Sequence, residues 1–451
     1  MIPLSLTQLT DVLSGESVNI HDPNLMVRDI STDTRKIEKG SVFFALVGER
    51  FDGHDFAQQA IEKGACAVVV SKKITADIPQ IIVKDTLKAL GQIGHWVRTK
   101  VQPRIVALTG SSGKTSVKEM TAAILKQCGQ TLYTQGNLNN DIGVPLTLLR
   151  LTSEDRYAVI ELGANHIGEI AYTTQLVQPE SALINNIAAA HLEGFGSLEG
   201  VAKAKGEIFS GLPYSGGTAI INCESYSMNW LEHLSRQQVY SFALNSSKAD
   251  YYASNIVQSA YTEFELHTPN HGHFPVRLPL IGLHNVSNAL AATALALSVG
   301  ATITAVQQGL LTLQPVKGRL FPIQLTPTQH ILDDTYNANV GSMTAAVNVL
   351  ATQPGYRVLV VGDMGELGDE AVACHQQIGE VAKKAKLEKV LSVGQLSQHI
   401  SQTSGAGQHF TDKNELVKTL KQILAEHNIV SILVKGSRSA RMEQIIEQLV
   451  Q

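Results

Sequence analysis

The chain has 451 residues, of which 44% are hydrophobic and 17% charged, with 36 glycines and a formal net charge of -4. That length exceeds what one hydrophobic core serves, so two to four domains are expected, and the composition suits an α/β protein. The small negative balance carries no electrostatic footprint for nucleic acid or an anionic membrane, so an anionic ligand has to be met by local groups.

At the N-terminus, Met1-Ile2-Pro3-Leu4-Ser5 lacks the basic and apolar regions of a leader. No uncharged span reaches membrane length, Ala289 to Val299 being too short, so a reducing, cytoplasmic location is expected. Residues 1–85 read as a small α/β unit. Its strands are Ser41 to Val47, Ala67 to Val70 and Gln80 to Val83, with a helix from about Asp55 to Lys63 that Gly64 closes. Two polar clusters, Ser31-Thr32-Asp33-Thr34-Arg35 and Asp52-Gly53-His54-Asp55, fall at element ends where a nucleotide or sugar phosphate could bind. A helix from about Leu87 to Lys100 follows, and Pro103 marks a joint.

Residues 86–315 read as a larger domain. Its buried strands, Ile105 to Leu108, Ala158 to Ile160 and Ala182 to Ile184, alternate with helices as a parallel sheet requires. The first runs into Gly110-Ser111-Ser112-Gly113-Lys114-Thr115-Ser116 and then a helical stretch. Backbone N–H groups of such a turn can cradle phosphates, Lys114 can offset their charge, and the Thr115 hydroxyl can hold Mg²⁺. The full phosphate-loop pattern wants a glycine where Leu108 stands. Glu161 ends the next strand, at the edge where ligands bind in parallel sheets, and suits a hard cation. His191 follows the third strand and could ligate a metal or be structural. Lys203 and Lys205 point to different faces of one helix, so at most one need be functional. Between Thr218 and Leu280 short strands and polar turns, such as Glu263 to His267, suggest an antiparallel insertion. An Ala-rich helix from about Asn285 to Ser298 follows, whose first amides, Asn285 and Asn288, could cap it or read a purine edge. The cysteines, Cys66, Cys128, Cys223 and Cys374, form no CxxC pair and are read mostly as small core residues.

Residues 316–451 read as a third, doubly wound unit with strands at Ile331-Leu332, Arg357 to Val361, Val390 to Val393 and Ile429 to Val434. Arg319, at the joint, could reach a phosphate. The run Asp333-Asp334-Thr335-Tyr336-Asn337 ends a strand, again at a crevice.

Taken together, the segments Thr109 to Thr115, Gly136 to Pro145, Glu161-Leu-Gly, Asn185 to His191, Ala204 to Phe209, His284 to Asn288, Gly318-Arg319 and Asp334 to Asn337 resemble the Mur ligases, ATP-dependent amide ligases of peptidoglycan synthesis. The resemblance covers essentially the whole chain. That family's phosphate loop lacks the first glycine, which answers the Leu108 objection. It implies a three-domain α/β architecture with a central phosphate-loop sheet and a Rossmann-like C-terminal domain. Three stretches, Ser31 to Arg35, Val361 to Gly368 and Val434 to Ser439, resemble the branch that joins D-alanyl-D-alanine to UDP-N-acetylmuramoyl-tripeptide; the Asp-Asn-Pro-Arg motif of the diaminopimelate-adding branch is absent.

The roles that the resemblance implies are these. Gly110 to Ser116 hold the ATP phosphates, with Lys114 catalytic and Thr115 and Glu161 on Mg²⁺. His191 and a CO₂-modified Lys205 support a second Mg²⁺, and Asn285 and Asn288 lie near the adenine. Arg319 and Asp334 meet ATP on domain closure, in which Tyr336 and Asn337 take part beside the acceptor. Ser31, Thr32, Asp33, Thr34, Arg35, Asp52, Gly53 and His54 hold the UDP end. A monomer is expected, without nucleic acid or a membrane span. The runner-up is another Mur ligase or a folylpolyglutamate synthetase-like enzyme; a GTPase-type switch would need an Asn-Lys-x-Asp motif, which the sequence lacks.

Overall fold

The strand Arg104–Thr109 alternates its apolar side chains between two separate cores. Ile105 and Ala107 pack into one, Val106 and Leu108 into the other. A strand buried on both faces has to lie inside a sheet covered on both sides by helices, and this one does. The computed structural model describes residues 1–48, 51–190, 192–225, 230, 234–259 and 261–450.

The central sheet has nine strands, in the order Gly272–Leu278, Thr262–Thr268, Tyr251–Gln258, Gln238–Ala243, Thr218–Asn222, Ser181–Ile184, Arg104–Thr109, Tyr157–Glu161 and Thr131–Tyr133. From Tyr251–Gln258 to Thr131–Tyr133 every neighbouring pair is parallel. The antiparallel insertion expected between Thr218 and Leu280 holds from Tyr251 to Leu278 and is corrected for Thr218–Asn222 and Gln238–Ala243, which pair parallel. Only Thr262–Thr268 pairs antiparallel with its neighbours, and all these strands extend the same sheet. Glu263 to His267 does alternate between buried and exposed, because the hairpin keeps one face in water. Lys114–Lys126, Leu283–Ser298 and Ile303–Leu311 cover one face of the sheet, and Thr86–Val101, Gly143–Leu149 and Glu169–Val177 lie on the other.

The N-terminal sheet has five strands, Glu16–Val18, Gln80–Ile82, Ala67–Val70, Ser41–Phe44 and Asp29–Ser31, with only the first pair antiparallel. The expected helix from Asp55 begins as a 3₁₀ turn, Gly53–Phe56, and continues as Ala57–Glu62. The next helix starts at Thr86 because the Asp85 carboxylate accepts from the N–H groups of Leu87 and Lys88. One core runs from Leu4 and Leu9 through Val69 and Ile93 to Ile105, Ile160 and Ile184, so the N-terminal unit shares its interior with one face of the central sheet.

The third sheet has six strands, Phe321–Thr326, Gln329–Asp334, Val430–Lys435, Tyr356–Val361, Lys389–Val393 and Gly407–Phe410. Its outer hairpin is antiparallel and the rest parallel. The two edge strands escape the sequence reading because they carry polar residues on exposed positions. Cys374 is buried in a core and Cys66 and Cys128 are half-buried against two others, as expected of small apolar residues; Cys223 alone is exposed. Among the described residues no helix is long and apolar enough to cross a membrane.

Where Ile303–Leu311 crosses Lys114–Lys126, Gly309 sits against backbone. A Cβ there would lie 2.5 Å from the Ile124 Cα. Gly309→Ala is expected to destabilise the chain by about 1–3 kcal/mol, because a backbone cannot step aside as a side chain can. Gly341→Ala, whose Cβ would meet the Ala188 Cβ at 3.5 Å, is expected to leave the unfolding midpoint unchanged. Urea denaturation of both variants checks the contrast.

Candidate active site

Leu108 does not interrupt the phosphate loop, because the strand is still paired there, opposite Glu161 on one side and Leu183 on the other. The turn begins at Gly110. At its end Gly113 adopts φ +75°, and a Cβ there would lie 2.5 Å from Asn185 Nδ2 and 2.6 Å from Asn288 Oδ1. Both the backbone twist and the close approach require glycine. The loop is buttressed from the neighbouring strand end. Ser112 N–H donates to Asn186 Oδ1 at 2.8 Å, and Asn185 Nδ2 donates to Ser112 O at 3.0 Å. The Ser111 hydroxyl exchanges hydrogen bonds with the backbone of Ala188.

Lys114 opens the helix, and its ammonium donates to Gly110 O at 2.8 Å. Burial pulls it below its ordinary value; Glu161 opposes that shift and Arg319 adds to it. Glu161, only 2% exposed, has its two oxygens in different company. Oε1 accepts from Asn139 Nδ2 at 2.8 Å, and Oε2 faces Thr115 Oγ1 at 3.3 Å. Lys205 is 1% exposed while Lys203 is exposed, so one lysine of the pair is turned inward. Burial drives the Lys205 amine well below the usual lysine range, the Lys114 charge adds to this, and Glu161 opposes it. His191 lies outside the described residues.

The third sheet closes the opposite wall. Arg319 Nη2 donates to Thr115 Oγ1 at 2.8 Å, and its guanidinium stands 4.4 Å from the centre of the Tyr336 ring. Asn339 Nδ2 donates to Ser111 O at 3.0 Å. Arg319, expected to arrive on closure, is thus already on the phosphate loop in this arrangement. Asp334 accepts from Leu320 N–H at 3.1 Å. These walls enclose a cavity of about 520 Å³ lined by Ser111 to Ser116, Asn139, Glu161, Asn285, Asn288, Arg319, Asp334, Tyr336 and Asn337, among others. Asn285 and Asn288 lie in the first two turns of Leu283–Ser298, and Asn288 Oδ1 accepts from Asn185 Nδ2 at 3.1 Å.

The N-terminal candidates stand apart from that cavity. Ser31, Thr32, Asp33, Thr34 and Arg35 end one strand of the five-stranded sheet. Arg35 pairs with Asp33 at 2.8 Å and holds its carboxyl down to about 2, and Thr34 Oγ1 donates to Gln59 at 2.7 Å. Asp52, Gly53 and His54 lie just before the helix that carries Gln59. His54 Nε2 accepts from Ser71 N–H at 2.9 Å, which leaves Nδ1 to donate to Asp52 at 2.5 Å. Most polar groups of each cluster are tied locally, and the Thr34–Gln59 bond links the first cluster to the helix that follows the second.

Sequence reasoning gave no role to Asn139, Asn185, Asn186, Asn339 or Lys435. Amides after strands read as turn formers. His284, to which the sequence alone assigns no role, also lines the cavity beside Asn285. Burial pushes its imidazole down to about 4, with Asp334 opposing and Lys435 reinforcing. A base whose folded value is depressed takes up its proton mainly on unfolding between about pH 6.5 and 4, so stability falls as pH drops through that window. From pH 7 to pH 5 His284 is expected to account for a loss of roughly 2 kcal/mol. Denaturation of the wild type and of His284→Gln at both pH values checks this; the variant is expected to show a shallower slope.

Comparison with known proteins fits this geometry. Residues 27–97 match the catalytic domain of the Mur ligase family, residues 108–296 the Mur ligase middle domain, and residues 318–438 the Mur ligase glutamate ligase domain. The chain is 60% identical over 451 residues to the UDP-N-acetylmuramoyl-tripeptide–D-alanyl-D-alanine ligase of Escherichia coli K12, covering 100% of this chain and 99% of that one. The crystal structure of MurF from Acinetobacter baumannii superposes with a TM-score of 0.95 at 40% identity, covering 100% of this chain and 99% of that one. MurF ligase from Thermotoga maritima, solved in complex with ADP, gives 0.85 at 25% identity, over 94% of this chain and 97% of that one. A likeness this close, end to end, shows that the chain belongs to the Mur ligase family.

Proposed function

We propose that the chain joins D-alanyl-D-alanine to UDP-N-acetylmuramoyl-tripeptide with ATP as phosphoryl donor. The observation that carries this reading is the convergence of Lys114, Thr115, Glu161 and Arg319 on one cavity of about 520 Å³. The 60% identity to the Escherichia coli ligase over the full chain supports the choice of substrates.

In this reading the ATP phosphates lie along the N–H groups of Gly110 to Ser116, and Asn285 and Asn288 lie beside the adenine. The terminal carboxylate oxygen of the tripeptide attacks the γ-phosphorus, the bond to the bridging oxygen breaks, and ADP leaves. Lys114 and Arg319 offset charge on the transferring group, so the chain contributes positioning and electrostatics more than covalent chemistry. The amine of D-alanyl-D-alanine then attacks the acyl carbon of the acyl phosphate, a proton is lost, and inorganic phosphate departs to leave the amide. An acyl phosphate hydrolyses in water, which gives the wall made by Arg319, Tyr336 and Asn337 a purpose.

Glu161 and Thr115 are hard oxygen donors side by side, so they fit Mg²⁺. Bound there, Mg²⁺ would supply charge neutralisation for the phosphates. A second Mg²⁺ would fall to His191 and Lys205. Addition of CO₂ to Lys205 needs the neutral amine, and its burial favours that form. The UDP end is assigned to Ser31 to Arg35 and Asp52 to His54. Action as a monomer in the cytoplasm, where ATP is at hand, belongs to this reading.

Lys114→Ala is expected to lower ATP-dependent phosphate release by a factor on the order of 10²–10³, with binding of UDP-N-acetylmuramoyl-tripeptide within about threefold of wild type. Ligation near the wild-type rate would remove the loop from the mechanism. A panel of amine acceptors tests the substrate assignment: faster release with a single amino acid than with D-alanyl-D-alanine would move the chain to another branch of the family.

A further inference from the structure

The strand Val430–Lys435 ends in a lysine that the reaction above does not use. Lys435 is 3% exposed, and its ammonium lies 2.7 Å from Asp334 Oδ2 and donates to Asn337 O at 2.8 Å. The two strands pair in parallel with Asp334 opposite Lys435, so the contact is set by sheet register. Burying a charge pair contributes little net stability, because desolvation offsets the attraction, whereas losing one partner leaves the other uncompensated. What the pair does provide is a fixed geometry.

That geometry leads to the phosphate loop. Asp334, held by Lys435 through Oδ2, uses Oδ1 to accept from Leu320 N–H, the residue after Arg319. Tyr336, lying between the two groups that Lys435 grips, donates its N–H to Gly318 O at 3.1 Å and lays its ring under the Arg319 guanidinium. Gly318, Arg319 and Leu320 are thus clamped on both sides by the segment Asp334 to Asn337. Arg319 in turn donates to Thr115. The geometry points to Lys435 as a positioning residue for phosphoryl transfer: it fixes both ends of the segment that seats Arg319 on the phosphate loop. This rests on the reading of the cavity as the ATP site.

The test is a double-mutant cycle on the full chain. Phosphate release with ATP, UDP-N-acetylmuramoyl-tripeptide and D-alanyl-D-alanine is measured for the wild type, Lys435→Met, Arg319→Ala and the double variant. Lys435→Met is expected to lower kcat about tenfold or more, with the KM for the tripeptide substrate within about twofold of wild type. The double variant is expected to stay within about threefold of Arg319→Ala alone, because both changes act through one guanidinium. A lysine that serves the fold alone would give losses that multiply, and that result overturns the inference. So does a Lys435→Met kcat within about twofold of wild type. Should Lys435→Met not fold, Lys435→Gln, which keeps a donor for the Asn337 carbonyl without the charge, goes through the same cycle with the same two readings. A wild-type chain without ATP-dependent phosphate release would overturn the functional reading instead, so the two failures are distinguishable.

Discussion

The site depends on one constraint, the parallel pairing of Arg104–Thr109 with a strand on each side. Parallel strands end at the same edge, so the turns after Thr109, Glu161 and Ile184 open side by side. That single fact sets the phosphate loop, a buried carboxylate and the paired asparagines Asn185 and Asn186 next to one another, although they are far apart in the chain. The third sheet obeys the same rule. Asp334 and Lys435 end neighbouring parallel strands, and the two sheets present these edges to a common cavity.

Amide side chains make the loop rigid. A glycine-rich turn loses much conformational freedom when it is ordered, and little of that is regained from its own backbone. Here Asn185 and Asn186 hold Ser112, and Asn339 holds Ser111 from the third unit. Asn139 occupies one oxygen of Glu161 and leaves the other toward Thr115. Groups fixed before the substrate arrives need not reorganise during the reaction, which is where electrostatic catalysis gains its effect.

What could be read from the sequence was local. The phosphate loop and Glu161 at a strand end follow from periodicity and turn chemistry within a few residues, whereas spacing says only that Lys203 and Lys205 face different ways, and the choice of Lys205 comes from the family resemblance. The parallel order of the strands after Thr218 was not legible, because a buried parallel strand and a hairpin strand look alike when they are short and bounded by polar turns. The edge strands Phe321–Thr326 and Gly407–Phe410 were missed since edges lack a buried apolar run. The asparagine buttress was equally hidden: an Asn after a strand serves as well in a bare turn, and its partner lies tens of residues away. Lys435 read as part of a motif, but its role depends on a register between strands separated by four α-helices.

The shared interior of the first two units has a consequence for how such a chain can be recombined. Side chains from Leu4 to Ile184 belong to one core, so a chimera joined near residue 100 would set two halves of unrelated packing against each other. The third sheet has cores of its own, from Leu320 and Ile331 onward. Exchange of whole modules between relatives is therefore permitted at the connection between Leu311 and Phe321 and opposed at the earlier one. A grafted third module would still have to bring its own arginine, and a segment able to seat it.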